Sequence, residues 1–142
     1  MIKMTTYFNF MGNTEAAMNH YKAVFGGEFT SFSRFRDMPD GDKLPAADRD
    51  KIMHITLSMP NDNVIMATDA LESMEQKVSF GNNYYVCVHT ESEAETDAIF
   101  KGLSEDGKIE MPVNKTFWGA YCGMCRDKFG VQWMITFNYP TA

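Results

Sequence analysis

With 142 residues and 44% apolar content, the chain has the bulk for one ordinary domain with a real core and no need of disulfide staples. A formal charge of −6 without any clustered basic stretch excludes nucleic acid as an expected partner. No apolar run reaches the roughly 18 to 20 residues of a membrane span, and the N-terminus has no leader pattern, so the expectation is a soluble cytoplasmic protein with no membrane partner.

Taken in chain order, Thr5 to Phe10 alternates polar and apolar residues, the period of a strand. Asn13 then stands where an N-cap oxygen would catch the free N–H groups of a helix. Ala17, Tyr21, Val24 and Phe25 follow at the spacing of one buried helical face, before Gly26-Gly27 supplies a stop. Glu28 to Arg36, Ile52 to Met59 and Asn63 to Asp69 read as strands, the last two joined through Pro60-Asn61-Asp62, which is turn chemistry. Between Asp37 and Asp50 lies a long loop rich in Pro, Asp and Gly, readable as a lid, a dimer contact or a solvated excursion.

Met74 to Phe80 shows no period and reads as a linker, after which the order of elements repeats. Asn83 to His89 is a strand, Thr90-x-x-Glu93 reads as a capping box, and Thr96, Ile99, Phe100 and Leu103 share the face of the helix it opens. The Asp106-Gly107 turn leads to strands at Lys108 to Pro112, Phe117 to Cys125 and Val131 to Asn138. The repeat is one of element order, with little residue identity between halves. Module one covers about residues 1–72 and module two about 81–140 of a single domain.

The three cysteines, an odd number, suit a reducing compartment. Cys122 and Cys125 have CxxC spacing, but three residues apart on a strand they face opposite sides and make no metal or redox pair.

Strand alternation sets Met53, Ile55, Leu57 and Met59 against His54, Thr56 and Ser58, and Phe8 and Phe10 against Tyr7 and Asn9. On the fifth strand Tyr84, Val86 and Val88 oppose Asn83, Tyr85 and Cys87. Helices cover one face of such sheets, so the second set is suited to a small, partly apolar ligand with a few polar handles. Trp118 and Met134 join Tyr7, Asn9, His54, Thr56, Asp69 and Tyr85 as pocket candidates. His54 could bind a ligand anion or shuttle a proton, or simply be satisfied by a neighbouring strand residue. The twelve methionines fit either a permissive pocket or flexible core filling.

Several stretches together resemble the PhnB-like family of the vicinal oxygen chelate superfamily, which includes glyoxalase I, bleomycin and fosfomycin resistance proteins and extradiol dioxygenases. They are Phe10-Met-Gly-Asn-Thr-Glu-Ala, Tyr21, Val24-Phe25-Gly-Gly, Lys51-Ile-Met-His54, Met66-Ala-Thr-Asp69, Gly107-Lys-Ile-Glu-Met-Pro, Thr116-Phe-Trp-Gly and Asp127-Lys-Phe-Gly-Val-Gln-Trp-Met. The resemblance implies an α+β fold of two βαβββ modules whose curved mixed sheets enclose a cavity, and usually a homodimer.

The superfamily's chemistry rests on a divalent metal held from the first, fourth, fifth and eighth strands. Here those positions fall near Thr5 or Thr6, near Thr68 or Asp69, near Asn83, and at Met134. Only Asp69 is a good ligand, so no metal and no other cofactor is expected. Two functions compete: a metal-free small-molecule-binding or resistance-type protein, and a metal-dependent lyase or dioxygenase using His54, Asp69 and Glu110. PhnB-like domains also carry the label 3-demethylubiquinone-9 3-methyltransferase, yet no glycine-rich cofactor loop follows the first strand.

Overall fold

The computed structural model describes residues 1–141. The chain forms two compact units, the first ending at Ser79 and the second beginning at Phe80. Each is an α+β unit built on one four-stranded mixed sheet. Among the described residues no helix is long and apolar enough to cross a membrane.

The first unit runs β1 (Thr6–Phe10), α1 (Thr14–Phe25), β2 (Glu28–Arg34), a short helix α2 (Ala46–Arg49), β3 (Ile52–Met59) and β4 (Asn63–Asp69). Its strand order is β1-β4-β3-β2, with β1 parallel to β4 and the other pairs antiparallel. Phe8, Ala67 and Ile55 are register partners on the face that α1 covers with Ala17, Met18 and Tyr21. These residues are buried because an apolar stripe on a helix and an alternating row on a sheet can remove each other from water.

The helix begins where expected but is capped differently. Asn13 occupies the N-cap position without a side-chain cap bond. The oxygen that caps it comes from Asp69 at the end of β4: Oδ1 accepts from Gly12 N at 2.9 Å, Thr14 N at 3.1 Å and Thr14 Oγ1 at 2.6 Å, and Oδ2 accepts from Ile52 N at 2.8 Å. Local propensity names the position, but a carboxylate from a distant strand outcompetes the Asn13 amide.

At the other end Gly26, at φ 80°, gives its N–H to Lys22 O. Gly27 follows at φ 97°, where a Cβ would lie 2.3 Å from Ser58 O, so the chain passes hard against β3 and only glycine fits.

β2 stops at Arg34, two residues earlier than the sequence pattern predicts, because a 3-10 turn takes over at Phe35–Asp37. The stretch to Asp50 is a series of short helical turns. Phe35, Gly41 and Asp48 are buried. Asp48 Oδ1 accepts from Lys51 Nζ at 3.0 Å and Oδ2 from Ser73 Oγ at 2.5 Å. The Ser73 hydroxyl first, then the Lys51 ammonium, holds the Asp48 carboxyl below its ordinary pKa.

The second unit runs β5 (Val86–His89), α3 (Glu93–Ser104), β6 (Lys108–Lys115), β7 (Ala120–Arg126) and β8 (Gln132–Asn138), in strand order β5-β8-β7-β6 with β5 parallel to β8. Val88, Ile135 and Gly123 are register partners beneath α3, and a Cβ at Gly123 would meet Phe100 Cε2 at 2.9 Å and Val113 Cγ2 at 2.7 Å.

Three expectations shift here. The fifth strand starts at Val86, since Arg126 and Gln132 take the carbonyls of Gly81 and Tyr84 and draw that segment out of the ladder. The N-cap is Ser92, whose Oγ accepts from Glu95 N at 3.0 Å, whereas Thr90 is buried against Thr96 Oγ1 at 2.6 Å. Phe117 and Trp118 lie in the turn between β6 and β7, closed by Thr116 and Ala120, rather than on a strand. Cys122 and Cys125 pair with Thr136 and Trp133, positions of opposite parity, so they face opposite sides as their spacing requires.

Candidate functional site

The face of the first sheet away from α1 is polar. Tyr7, Met66, Thr56 and Ser31 are successive register partners across all four strands. The next rung places Asn9 beside Thr68 and His54 beside Ser33. Alternation puts every one of these side chains opposite the buried Phe8, Ile55, Leu57 and Ala67.

On this face Tyr7 reaches from β1 across β4 to β3. Its hydroxyl lies 3.3 Å from His54 Nδ1, with ring centroids 5.7 Å apart. His54 Nε2 lies 2.8 Å from Thr56 Oγ1. A neutral imidazole donates through one nitrogen and accepts through the other, so the two hydroxyls fit either tautomer and form a continuous hydroxyl–imidazole–hydroxyl chain. Such a chain can pass a proton or present a donor and an acceptor to a ligand without placing a fixed charge on the sheet.

Asn9, Met53 and Thr68 also line a cleft of about 540 Å³ at the C-terminal ends of β1 and β4, with Phe35 on one wall and residues 76–79 on another. Thr68 Oγ1 donates to Met53 O at 2.6 Å. Among the described residues the Asn9 amide makes no side-chain hydrogen bond, and Lys77 stands exposed at the rim. The cleft has the size and the mixture of apolar wall and polar handles of a small-molecule site. Its 76–79 wall escapes sequence reasoning because an aperiodic stretch gives no signal beyond "linker". The turn at Glu72–Met74 and the bond from Leu71 N to Gln76 Oε1 at 2.7 Å are what set its place.

Five of the eight candidate residues, Tyr7, Asn9, His54, Thr56 and Asp69, lie in this unit, and the first four share the polar face. Asp69 pairs with Phe10, on the opposite parity, and both its oxygens are taken by the cap of α1 and by Ile52 N. The other three belong to the second unit and do not form one group. Tyr85 gives its hydroxyl to Glu110 Oε2 at 2.9 Å, and this bond to a carboxylate, with burial adding to it, raises the phenol pKa. Met134 lies between Cys87 and Met124 in the ladder. Trp118 is 54% exposed at the turn, edge-on to Phe117 with centroids 5.0 Å apart.

The donor set does not fit the divalent metal of the superfamily. Thr6 pairs with Ile65 on the α1 side, the Thr68 hydroxyl is given to Met53 O, Asp69 has no free oxygen and Met134 offers only a thioether. Nor do His54, Asp69 and Glu110 make an alternative set, because Asp69 is saturated and Glu110 holds Tyr85. Among the described residues no three His, Cys, Asp or Glu side chains converge.

Comparison with known proteins agrees with this architecture. The profile of the family described as 3-demethylubiquinone-9 3-methyltransferase matches residues 2–136. Protein PA1353 from Pseudomonas aeruginosa is 31% identical and superposes with a TM-score of 0.85, covering 97% of this chain and 98% of that one. A PhnB protein from Bacillus cereus is 30% identical with a TM-score of 0.78, covering 96% and 99%. A glyoxalase/bleomycin resistance protein/dioxygenase from Nocardioides, at 16% identity and a TM-score of 0.60 over 100% of this chain and 87% of that one, shares the fold.

Proposed function

Since the chain belongs to the 3-demethylubiquinone-9 3-methyltransferase family, and has the glyoxalase/bleomycin resistance/dioxygenase fold, we propose that it binds a small organic molecule without a divalent metal. The ligand lies on the polar face of the first sheet. The observation that carries this reading is the Tyr7–His54–Thr56 chain beside a cleft of about 540 Å³. Its hydroxyls and imidazole recognise a polar group such as a carboxylate, phenol or carbonyl, while Met53 and Phe35 take an apolar part.

Methyl transfer, which the family description names, gains little support from the chain. The amides of Gly12 and Thr14, which begin α1 and would be free to hold a cofactor in a glycine-rich loop, both bond Asp69. Calorimetry with S-adenosylmethionine tests this directly, and no heat of binding is expected. A homodimer forms part of the proposal on the strength of the resemblance, and light scattering on the eluting protein is its test.

The decisive experiment screens a library of small aromatic acids and phenols by ¹H–¹⁵N chemical-shift mapping. Perturbations clustered at Asn9, His54, Thr56 and Thr68 support the reading, and hits confined to the second unit overturn it. Elemental analysis of the purified protein is the companion measurement: stoichiometric Zn, Ni, Mn or Fe would favour the lyase or dioxygenase alternative instead.

A further inference from the structure

The second sheet carries a row of sulfur. Cys87 on β5 pairs with Met134 on β8, Met134 with Met124 on β7, and Met124 with Met111 on β6. Register partners project to the same side, so four sulfur side chains cross every strand of the sheet in one line. The adjacent rung brings His89, Thr136, Cys122 and Asn114 to that same face.

Cys87 and His89 are exposed, the three methionines are half-buried, and Cys87 Sγ lies 3.6 Å from His89 Nε2. A thiolate sulfur at about 2.3 Å and an imidazole nitrogen at about 2.0 Å from one ion, at a near-tetrahedral angle, are separated by roughly 3.5 Å. The observed spacing is therefore already the bite of a two-donor clamp. Met134, directly across the ladder from Cys87, has an unbranched thioether that can turn toward the same point.

We propose that Cys87, His89 and Met134 form a binding site for one soft monovalent cation, with Cu(I) as the physiological candidate. Thiolate, thioether and imidazole donors together select such an ion over Mg, Ca or Mn, which want oxygen. The site rests on a methionine as its third donor, in a sheet where His, Cys, Asp and Glu alone make no such group among the described residues. A cysteine thiol ordinarily keeps its proton at neutral pH. Binding then replaces S–H by S–Cu and releases one proton to the solvent, with no change of oxidation state. This proposal concerns the second unit and does not rest on the ligand reading of the first.

The test is anaerobic titration of the reduced, full-length protein with Cu(I) supplied as its acetonitrile complex, in competition with a chromogenic Cu(I) chelator. One equivalent is expected to bind, with a sulfur-to-copper absorption band in the ultraviolet and one proton released. Cys87→Ser should weaken binding at least 100-fold, and Met134→Leu and His89→Ala about 10-fold each, while Cys125→Ser, whose side chain faces the other way, leaves it unchanged. Because Met134→Leu conserves volume and Cys87 is exposed, unchanged ¹H–¹⁵N spectra should verify folding. Failure to hold copper against an equimolar chelator overturns the proposal. So does equal affinity in Cys87→Ser, or in both Met134→Leu and His89→Ala, since the last result would leave a bare thiol as the only ligand.

Discussion

Tyr7 and His54, 47 positions apart in the chain, meet above β4 with the phenol oxygen 3.3 Å from Nδ1. The parallel pairing of β1 with β4 makes the meeting possible, since it brings the first strand of the unit beside the last and within a side chain's reach of β3. The contact lies on an accessible surface, where it adds little to stability and is available to a ligand.

Tyr7→Phe should therefore leave the unfolding free energy within about 0.5 kcal/mol of the parent, as exposed substitutions do. It should weaken a fragment bound at His54 by roughly 2- to 10-fold, the worth of one hydrogen bond. Chemical denaturation and a chemical-shift titration give the two numbers. Unchanged fragment affinity would remove Tyr7 from the site.

Asp69 should behave in the opposite way. Asp69→Ala strands the amides of Thr14 and Ile52, whose acceptor it is, in a place without solvent, and releases that of Gly12, which water can reach. At about 1 to 3 kcal/mol for each of the two buried unsatisfied donors, the loss should reach at least about 2 kcal/mol. Thr14→Val, which removes only the hydroxyl bond, should lose about 1 kcal/mol. Urea midpoints check both, and a mild effect of Asp69→Ala would show that the carboxylate does not carry the cap of α1.

The thiols should separate cleanly under an aromatic disulfide reagent. Cys122 and Cys125 are 0% exposed, and burial raises both thiols, Cys125 to about 12 with the Asp127 and Glu110 charges adding to the effect. Only Cys87 is exposed. One thiol per chain should react in the native protein, slowly at pH 7 because burial raises that thiol too, and all three in denaturant. Rapid reaction of a second native thiol would contradict the packing of β7.

These sites differ in how far a sequence can declare them. Period-2 alternation is enough to set Tyr7, Asn9, His54 and Thr56 apart from Phe8, Ile55 and Leu57, because one face must be buried. Which strand lies beside which is not local information. Hence the Tyr7–His54 contact, the capture of the α1 cap by Asp69 and the sulfur row through Met111, Met124, Met134 and Cys87 all become visible only with the register. Caps and strand ends shift for the same reason. The sequence pattern sets the N-cap at Thr90, and the burial of Thr90 against Thr96 leaves the cap to Ser92.

The N-terminal turns of α3 are fastened by two phenol–carboxylate contacts, Tyr121 Oη to Asp97 Oδ1 at 2.8 Å and Tyr139 to Glu93. A phenolate beside a carboxylate is repelled, so both phenols are raised, Tyr139 to about 12, with the hydrogen bond to the carboxylate as the leading cause. Below about pH 10, the ordinary phenol value, folded and unfolded chains both hold these protons and the contacts contribute in full. As pH climbs from there toward 12, the unfolded chain releases the Tyr139 proton while the folded chain keeps it, so folding binds a proton and stability falls. Melting temperature should therefore drop across that window in the parent and less steeply in Tyr139→Phe, with tyrosinate absorbance rising as the fold is lost. Parallel curves for the two proteins would mean that the Glu93 contact does not govern the alkaline limit.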